Sequence, residues 1–469
     1  MLERFRGLDW TVKLIILITG IRGVVSAFPI PLTWDEALYV NLAHNFYYFG
    51  FIAVSPLQKI IDFARAPFLS FTIYFSFLIT TPNLIVAQYV AFVLSLGALY
   101  VVYLLGKELY SVTVGKYAAL ALTCGCIGFI FFWGVLTEIP YALLSTLFLL
   151  CIVRAQKTPK YYVPAGVTLA LCFLTRYPGI LIIFVGFVYI ILTKNIKKAL
   201  RSPWLYLGLA CAFLTIIPWL IYNYMNTEEY LGLFWDFFSA DKYWSRNILE
   251  FSIITPVIET ILFYLESLVY AVIPLFTPVF LFPYFYIAVK NDRKTAPGIT
   301  LIFWVVMFLV AHFLLMPKAY AGEFVRYNQT SLPAFCLLTG LGLAMMLTNE
   351  FQINGKSFFK GKKKLAILLI ALSLTLGFTA IYATRSDPGL TQPIGVYEYL
   401  NYTTPPWQII LTNVYPMAQQ YTDRMCFWLP DFPFLIDYFA ENGIVGAIFV
   451  SLFRYASPII LMHLETSPL

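Results

Sequence analysis

Apolar runs long enough to cross a bilayer follow one another through the first four fifths of this chain, separated by short segments rich in lysine and arginine. Inside a bilayer such a run satisfies its own backbone polar groups only as an α-helix, so the pattern commits the chain to a bundle of membrane helices. Composition agrees: 60% of the 469 residues are hydrophobic, 12% are charged and the mean hydropathy is +0.78. No soluble domain carries that balance.

The runs predict eleven spans, at about 12–31, 84–105, 117–135, 139–153, 162–174, 178–193, 203–222, 271–289, 298–316, 328–347 and 365–384. The first is too long for a signal-peptide core and lacks a small-residue cleavage site, so it reads as an uncleaved span. Segments 35–48, 67–79 and 257–270 are short or acidic and read as interfacial helices. Arg4, Arg6 and Lys13 place the N-terminus in the cytoplasm. Cytoplasmic segments then hold 20 of the 31 lysines and arginines but 5 of the 24 acids, the asymmetry that the positive-inside rule requires. The net charge of +7 is therefore a topology signal and not a nucleic-acid footprint.

From Arg385 onward the character changes. Apolar runs 408–413 and 444–453 alternate with helical stretches 394–401, 416–422 and 432–441 between turn signals such as Thr404-Pro405-Pro406. The expected fold class is thus an all-α polytopic membrane protein with a small C-terminal α/β domain outside the membrane. Its domains are 1–384, with extracytoplasmic loops 32–83 and 223–270, and the tail 385–469.

Thr33-Trp34-Asp35-Glu36-Ala37-Leu38-Tyr39 follows the first span. An acidic pair against the bilayer is costly to keep unless it serves something, which makes Asp35 the candidate catalytic carboxylate. The plain alternative is a capping box, in which Thr33 and Glu36 exchange bonds with backbone amides and the acids favour the helix N-terminus. Both can hold at once.

Other polar residues gather on the same side: His44, Asp62, Arg65, Glu138, Arg176, Asp236, Lys242, Arg246, Glu323 and Arg326. Carboxylates and arginines collected at one face suit a charged headgroup on a lipid, since the guanidinium fork donates two bonds to a phosphate. The chain has no phosphate-cradling glycine loop, no GxSxG, no HExxH and no Cys/His metal spacing. A metal or other cofactor is not expected to be essential. The seven cysteines form no disulfide framework; Cys124 and Cys126 read as small-residue packing, and His312 as a packed residue of a span.

Asp35, Arg65-Ala66-Pro67-Phe68, Glu138-Ile139-Pro140, Leu174-Thr175-Arg176-Tyr177-Pro178 and Arg326-Tyr327 resemble, in order and sidedness, the GT-C fold glycosyltransferases that use lipid-phosphate sugars. These include the protein O-mannosyltransferases and the transferase that puts aminoarabinose on lipid A. Tyr399-Leu400, Thr404-Pro405, Leu411-Thr412-Asn413, Tyr421-Thr422-Asp423-Arg424 and Leu429-Pro430 resemble their tail.

The resemblance implies inverting transfer of one sugar, a hexose or pentose, from a polyprenyl- or dolichyl-phosphate donor. The acceptor is a hydroxyl of a protein, lipid or glycan at the outer membrane face. It makes Asp35 the general base and Arg65, Arg326 and Arg176 the donor-phosphate residues, with Glu36, Tyr39, Glu138 and Tyr327 in support. Ala66 departs from the family's proline at that position. Each role has a structural alternative: Arg65 snorkelling to anchor a helix, Arg176 pairing with Glu138, and Tyr39 and Tyr327 serving as interfacial aromatics. Transfer of a whole oligosaccharide is the nearest competing function. A lipid or polysaccharide transporter fits less well, because the spans carry few charges besides Arg22 and show no repeat.

Overall fold

The computed structural model describes residues 9–28, 32, 34–50, 52–55, 60–61, 65–124, 134–227, 276–315, 328–348, 409–412, 426–428, 445–450 and 460–462. Helix α1 (Trp10–Val25) is capped by Asp9, whose carboxylate accepts from the Thr11 amide at 3.0 Å. Partial burial works against the charged form of Asp9, but the Thr11 amide and Lys116 outweigh it and hold its carboxyl below the ordinary value. Then come α2 (Trp34–Phe49), an antiparallel pair β1 (Ala53–Ser55) and β2 (Ile60–Ile61), and α3 (Phe68–Ile79).

The main bundle follows as α4 (Leu84–Leu109), α5 (Val112–Cys124), α6 (Glu138–Ala155) and α7 (Tyr162–Thr175). A 3-10 turn (Tyr177–Leu181) runs into α8 (Ile182–Leu192), the short α9 (Ile196–Leu200) and α10 (Pro203–Thr227). After these come α11 (Phe276–Asp292), α12 (Ala296–Leu315), a 3-10 turn (Asn328–Ser331) and α13 (Leu332–Leu347). Among the described residues α4, α6 and α10 are long and apolar enough to cross a membrane, and five shorter apolar helices accompany them. The chain is a multi-pass membrane protein.

Most helices match the predicted spans within a few residues, and three boundaries differ. The stretch 106–116 is not a loop: α4 runs to Leu109 and α5 begins at Val112. The helix outlasts the apolar run because its last acid, Glu108, is partnered. Glu108 meets Arg154 at 3.2 Å and Lys157 at 3.8 Å. The third predicted span does not extend to Val135, which lies in the turn before α6. The first helix closes at Val25, ahead of Pro29 and Pro31, which supply no backbone donor. The span 365–384, and with it the count of eleven, lies outside the described residues, as does the interfacial segment 257–270.

Hydrophobic attraction does little between helices in lipid, so close packing of small residues holds them together. Gly166 of α7 and Gly208 of α10 show this, because a Cβ at Gly166 would collide with the Gly208 carbonyl. Buried Arg22 lies with its guanidinium 5.8 Å from the Phe92 ring centroid, bridging α1 to α4. At the end of the bundle carrying Glu108, Tyr110 donates to Asp292 at 2.5 Å; burial and then the Asp292 carboxylate push its hydroxyl well up. Lys116 pairs with Asp9 at 3.1 Å, and Lys198 reaches the Gln156 carbonyl at this same end. The lysine-rich turns and the acidic segment of α2 thus occupy opposite ends.

In the tail β3 (Ile409–Thr412), β4 (Cys426–Trp428), β5 (Val445–Val450) and β6 (Ile460–Met462) form a sheet in the order β4-β3-β5-β6. β3 is parallel to β4 and β5, and β6 is antiparallel to β5. β3 and β5 coincide with the two predicted strands. The helices expected between them lie outside the described residues.

Candidate active site

The first turn of α2 holds Asp35 and Glu36, and successive side chains on a helix diverge by about 100°. The two acids therefore face different neighbours. Asp35 Oδ1 lies 3.7 Å from Arg65 Nη2, and each of these side chains keeps about a quarter of its surface exposed (24% and 23%). Glu36 is 1% exposed, and its Oε1 accepts from the Val135 amide at 2.9 Å.

Local chain geometry explains why Arg65 reaches Asp35. The β1–β2 hairpin turns the chain back, and Pro67 opens α3 two residues after Arg65. Helix α3 packs along α2: Ser70 Oγ donates to the Tyr39 carbonyl at 3.2 Å, and Phe46 meets Tyr74 (4.4 Å) and Phe71 (5.2 Å) edge to face. Tyr39 is itself buried in this seam. With Ala66 in place of a proline, Arg65 still stands directly before a helix start, and Ala66 and Pro67 are buried beneath it.

A second charged pair lies at the head of α6. Arg176 Nη1 donates to Glu138 Oε1 at 3.0 Å, with the two side chains 10% and 3% exposed. Helix α7 ends at Arg176 because Pro178 cannot donate to continue it, and Pro140 is tolerated because it lies in the first turn of α6. Beside the pair, Tyr177 accepts from Trp219 Nε1 at 3.2 Å. Trp219 stacks on Tyr222 at 5.5 Å and meets Phe71 edge-on at 6.4 Å. The Tyr222 hydroxyl accepts from the Ile52 amide at 3.0 Å, which ties the segment after α2 to α10.

The structure thus brings Asp35 to Arg65 and Arg176 to Glu138, and joins the two neighbourhoods through Glu36 and the 134–137 turn. Arg326, Tyr327 and Thr33 lie outside the described residues. The turn at Asn328–Ser331 packs against α6, and Trp304 Nε1 donates to the Thr330 carbonyl at 3.0 Å. Sequence reasoning missed the Val135 amide as the partner of Glu36. Nothing local announces a contact between residues 99 positions apart.

A family model described as "Dolichyl-phosphate-mannose-protein mannosyltransferase" matches residues 64–222, the stretch that holds Arg65, Glu138 and Arg176. By sequence alone, no curated protein matches the chain. Among solved structures, ArnT from Cupriavidus metallidurans in the apo state is similar at a TM-score of 0.67 and 15% identity, over 94% of this chain and 92% of that one. The same protein bound to undecaprenyl phosphate gives 0.66 and 14%, over 94% and 93%. The archaeal oligosaccharyltransferase AglB from Archaeoglobus fulgidus, in complex with an inhibitory peptide and a dolichol-phosphate, gives 0.58 and 13%, over 94% and 70%. The chain therefore has the fold of ArnT, the GT-C fold that its motifs resemble.

Proposed function

We propose that this protein is a membrane glycosyltransferase that moves one sugar from a polyprenyl- or dolichyl-phosphate carrier to a hydroxyl of a protein, lipid or glycan, with inversion, at the extracytoplasmic face. The observation that carries this reading is the 3.7 Å approach of Asp35 and Arg65 at the acidic end of an ArnT-like bundle. Solved relatives in fold that hold undecaprenyl phosphate or dolichol-phosphate support a lipid-phosphate donor.

The chemistry needs two opposite charges side by side. A hydroxyl is a weak nucleophile until a carboxylate takes its proton, so Asp35 accepts the acceptor's proton as the new bond to the anomeric carbon forms. The bond from that carbon to the phosphate oxygen breaks, and its electron pair leaves with the lipid phosphate. Arg65 stabilises that growing charge, and Arg326 is assigned beside it. At 3.7 Å the pair is an ion contact and not a short hydrogen bond. A substrate phosphate and hydroxyl therefore displace it at small cost.

Arg176 has the weaker claim to the phosphate because its guanidinium holds Glu138. The basic turns at the end opposite Asp35 support a cytoplasmic N-terminus and an extracytoplasmic site. We assign residues 385–469 to an α/β domain on that same extracytoplasmic side, on the strength of the β3–β6 sheet. Transfer of a whole oligosaccharide is the second reading, favoured by the AglB likeness. Mass spectrometry of lipid-linked sugars and surface glycans in cells with and without this chain tests both. Loss of a single added sugar supports the first, loss of an oligosaccharide the second, and unchanged glycans contradict both.

A further inference from the structure

We infer that Glu36 is a positioning residue, which fixes the base-bearing turn of α2 against the head of α6 and so sets where Asp35 stands. The inference rests on the proposed role of Asp35. Glu36 is 1% exposed, although a buried carboxylate is strongly penalised unless hydrogen bonds replace its water. Its Oε1 takes the Val135 amide at 2.9 Å, across 99 residues of chain. The same oxygen is seated on Gly134, where any Cβ would collide with it. An amide donor and a cradle without a side chain, on adjacent residues, locate this oxygen from two directions.

The far end of the contact is also rigid. Val135 lies three residues before Glu138, which the buried pair with Arg176 binds to α7. Asp35 is one residue from Glu36, so a slip of this bond rotates the base relative to Arg65 and relative to whatever is bound at the head of α6. A misplacement of about 1 Å in a reacting group costs up to about 100-fold in rate.

The test uses the full chain in native membranes, with endogenous lipid-linked sugar as donor and release of polyprenyl phosphate as the turnover readout. Binding of added undecaprenyl phosphate is followed in parallel. Glu36→Ala and Gly134→Ala should each lower turnover per folded molecule by about 10- to 100-fold while the binding of undecaprenyl phosphate stays parental. Their combination should cost no more than either alone, because both break one contact. Glu36→Gln should recover most of the lost turnover, since its amide oxygen still accepts from Val135. Asp35→Asn is run alongside. Parental turnover in Glu36→Ala or Gly134→Ala beside an inactive Asp35→Asn overturns the positioning role alone. A Glu36→Gln as slow as Glu36→Ala overturns it too, because it assigns the effect to charge. Parental turnover in Asp35→Asn overturns the base assignment and this inference with it.

Discussion

Arg176 and Glu138 form a 3.0 Å pair with almost no exposed side-chain surface, closing the end of α7 onto the start of α6. Removing one partner leaves the other charge buried and uncompensated, a loss of about 3–5 kcal/mol. Arg176→Ala and Glu138→Ala should therefore each lower the thermal stability of the detergent-solubilised protein markedly, and the double variant should lose much less than the sum. Additive losses in that cycle would remove the pair from the fold's supports.

Arg65 should behave differently, because it is partly exposed and its ion pair is weak. Arg65→Ala should leave the melting temperature within about a degree or two and weaken binding of undecaprenyl phosphate. Arg65→Lys should restore only part of it, since an ammonium lacks the planar two-donor fork. Undiminished binding in the alanine variant would show that Arg65 only anchors α3.

Gly166 tests the small-residue contact between α7 and α10. Gly166→Val should destabilise the bundle by about 1–3 kcal/mol or abolish folding, since the backbone of Gly208 stands where a side chain would go. Gly20 faces open space, and Gly20→Val is the matched control, with little effect on melting.

Much of this organisation was legible in the chain itself. Apolar length gave α4, α6, α7 and α10, and Pro178 explained the break at Arg176, because these depend on a residue's own chemistry and its near neighbours. Asp35 and Arg65 could be placed in one loop with separate roles, but neither their contact nor the hairpin that makes it could be read there. The bond from Glu36 to Val135 was out of reach, since a backbone amide bears no mark of its acceptor. The extension of α4 to Leu109 was misread for a similar reason. Charge at Lys107 and Glu108 looks like a loop until Arg154 is seen beside it.

The proposed sidedness, with the site at the extracytoplasmic face, is open to direct measurement. A cysteine introduced at Pro388 should react with an impermeant reagent in intact cells, and one at Gly361 should not. The opposite pattern would invert the topology.

Turnover of Asp35→Asn goes to the centre of the account. Asparagine keeps the size and polarity of the side chain and removes only the charge from the first turn of α2, so folding should survive and undecaprenyl phosphate binding be retained. It cannot take a proton, so turnover of lipid-linked sugar should fall by about 10²–10⁴-fold. If Asp35 were only a helix-start acid, the same change would cost at most about 1 kcal/mol of stability and leave the rate nearly intact. An Asp35→Asn protein that consumes lipid-linked sugar at the parental rate would contradict the assignment of Asp35 as the base.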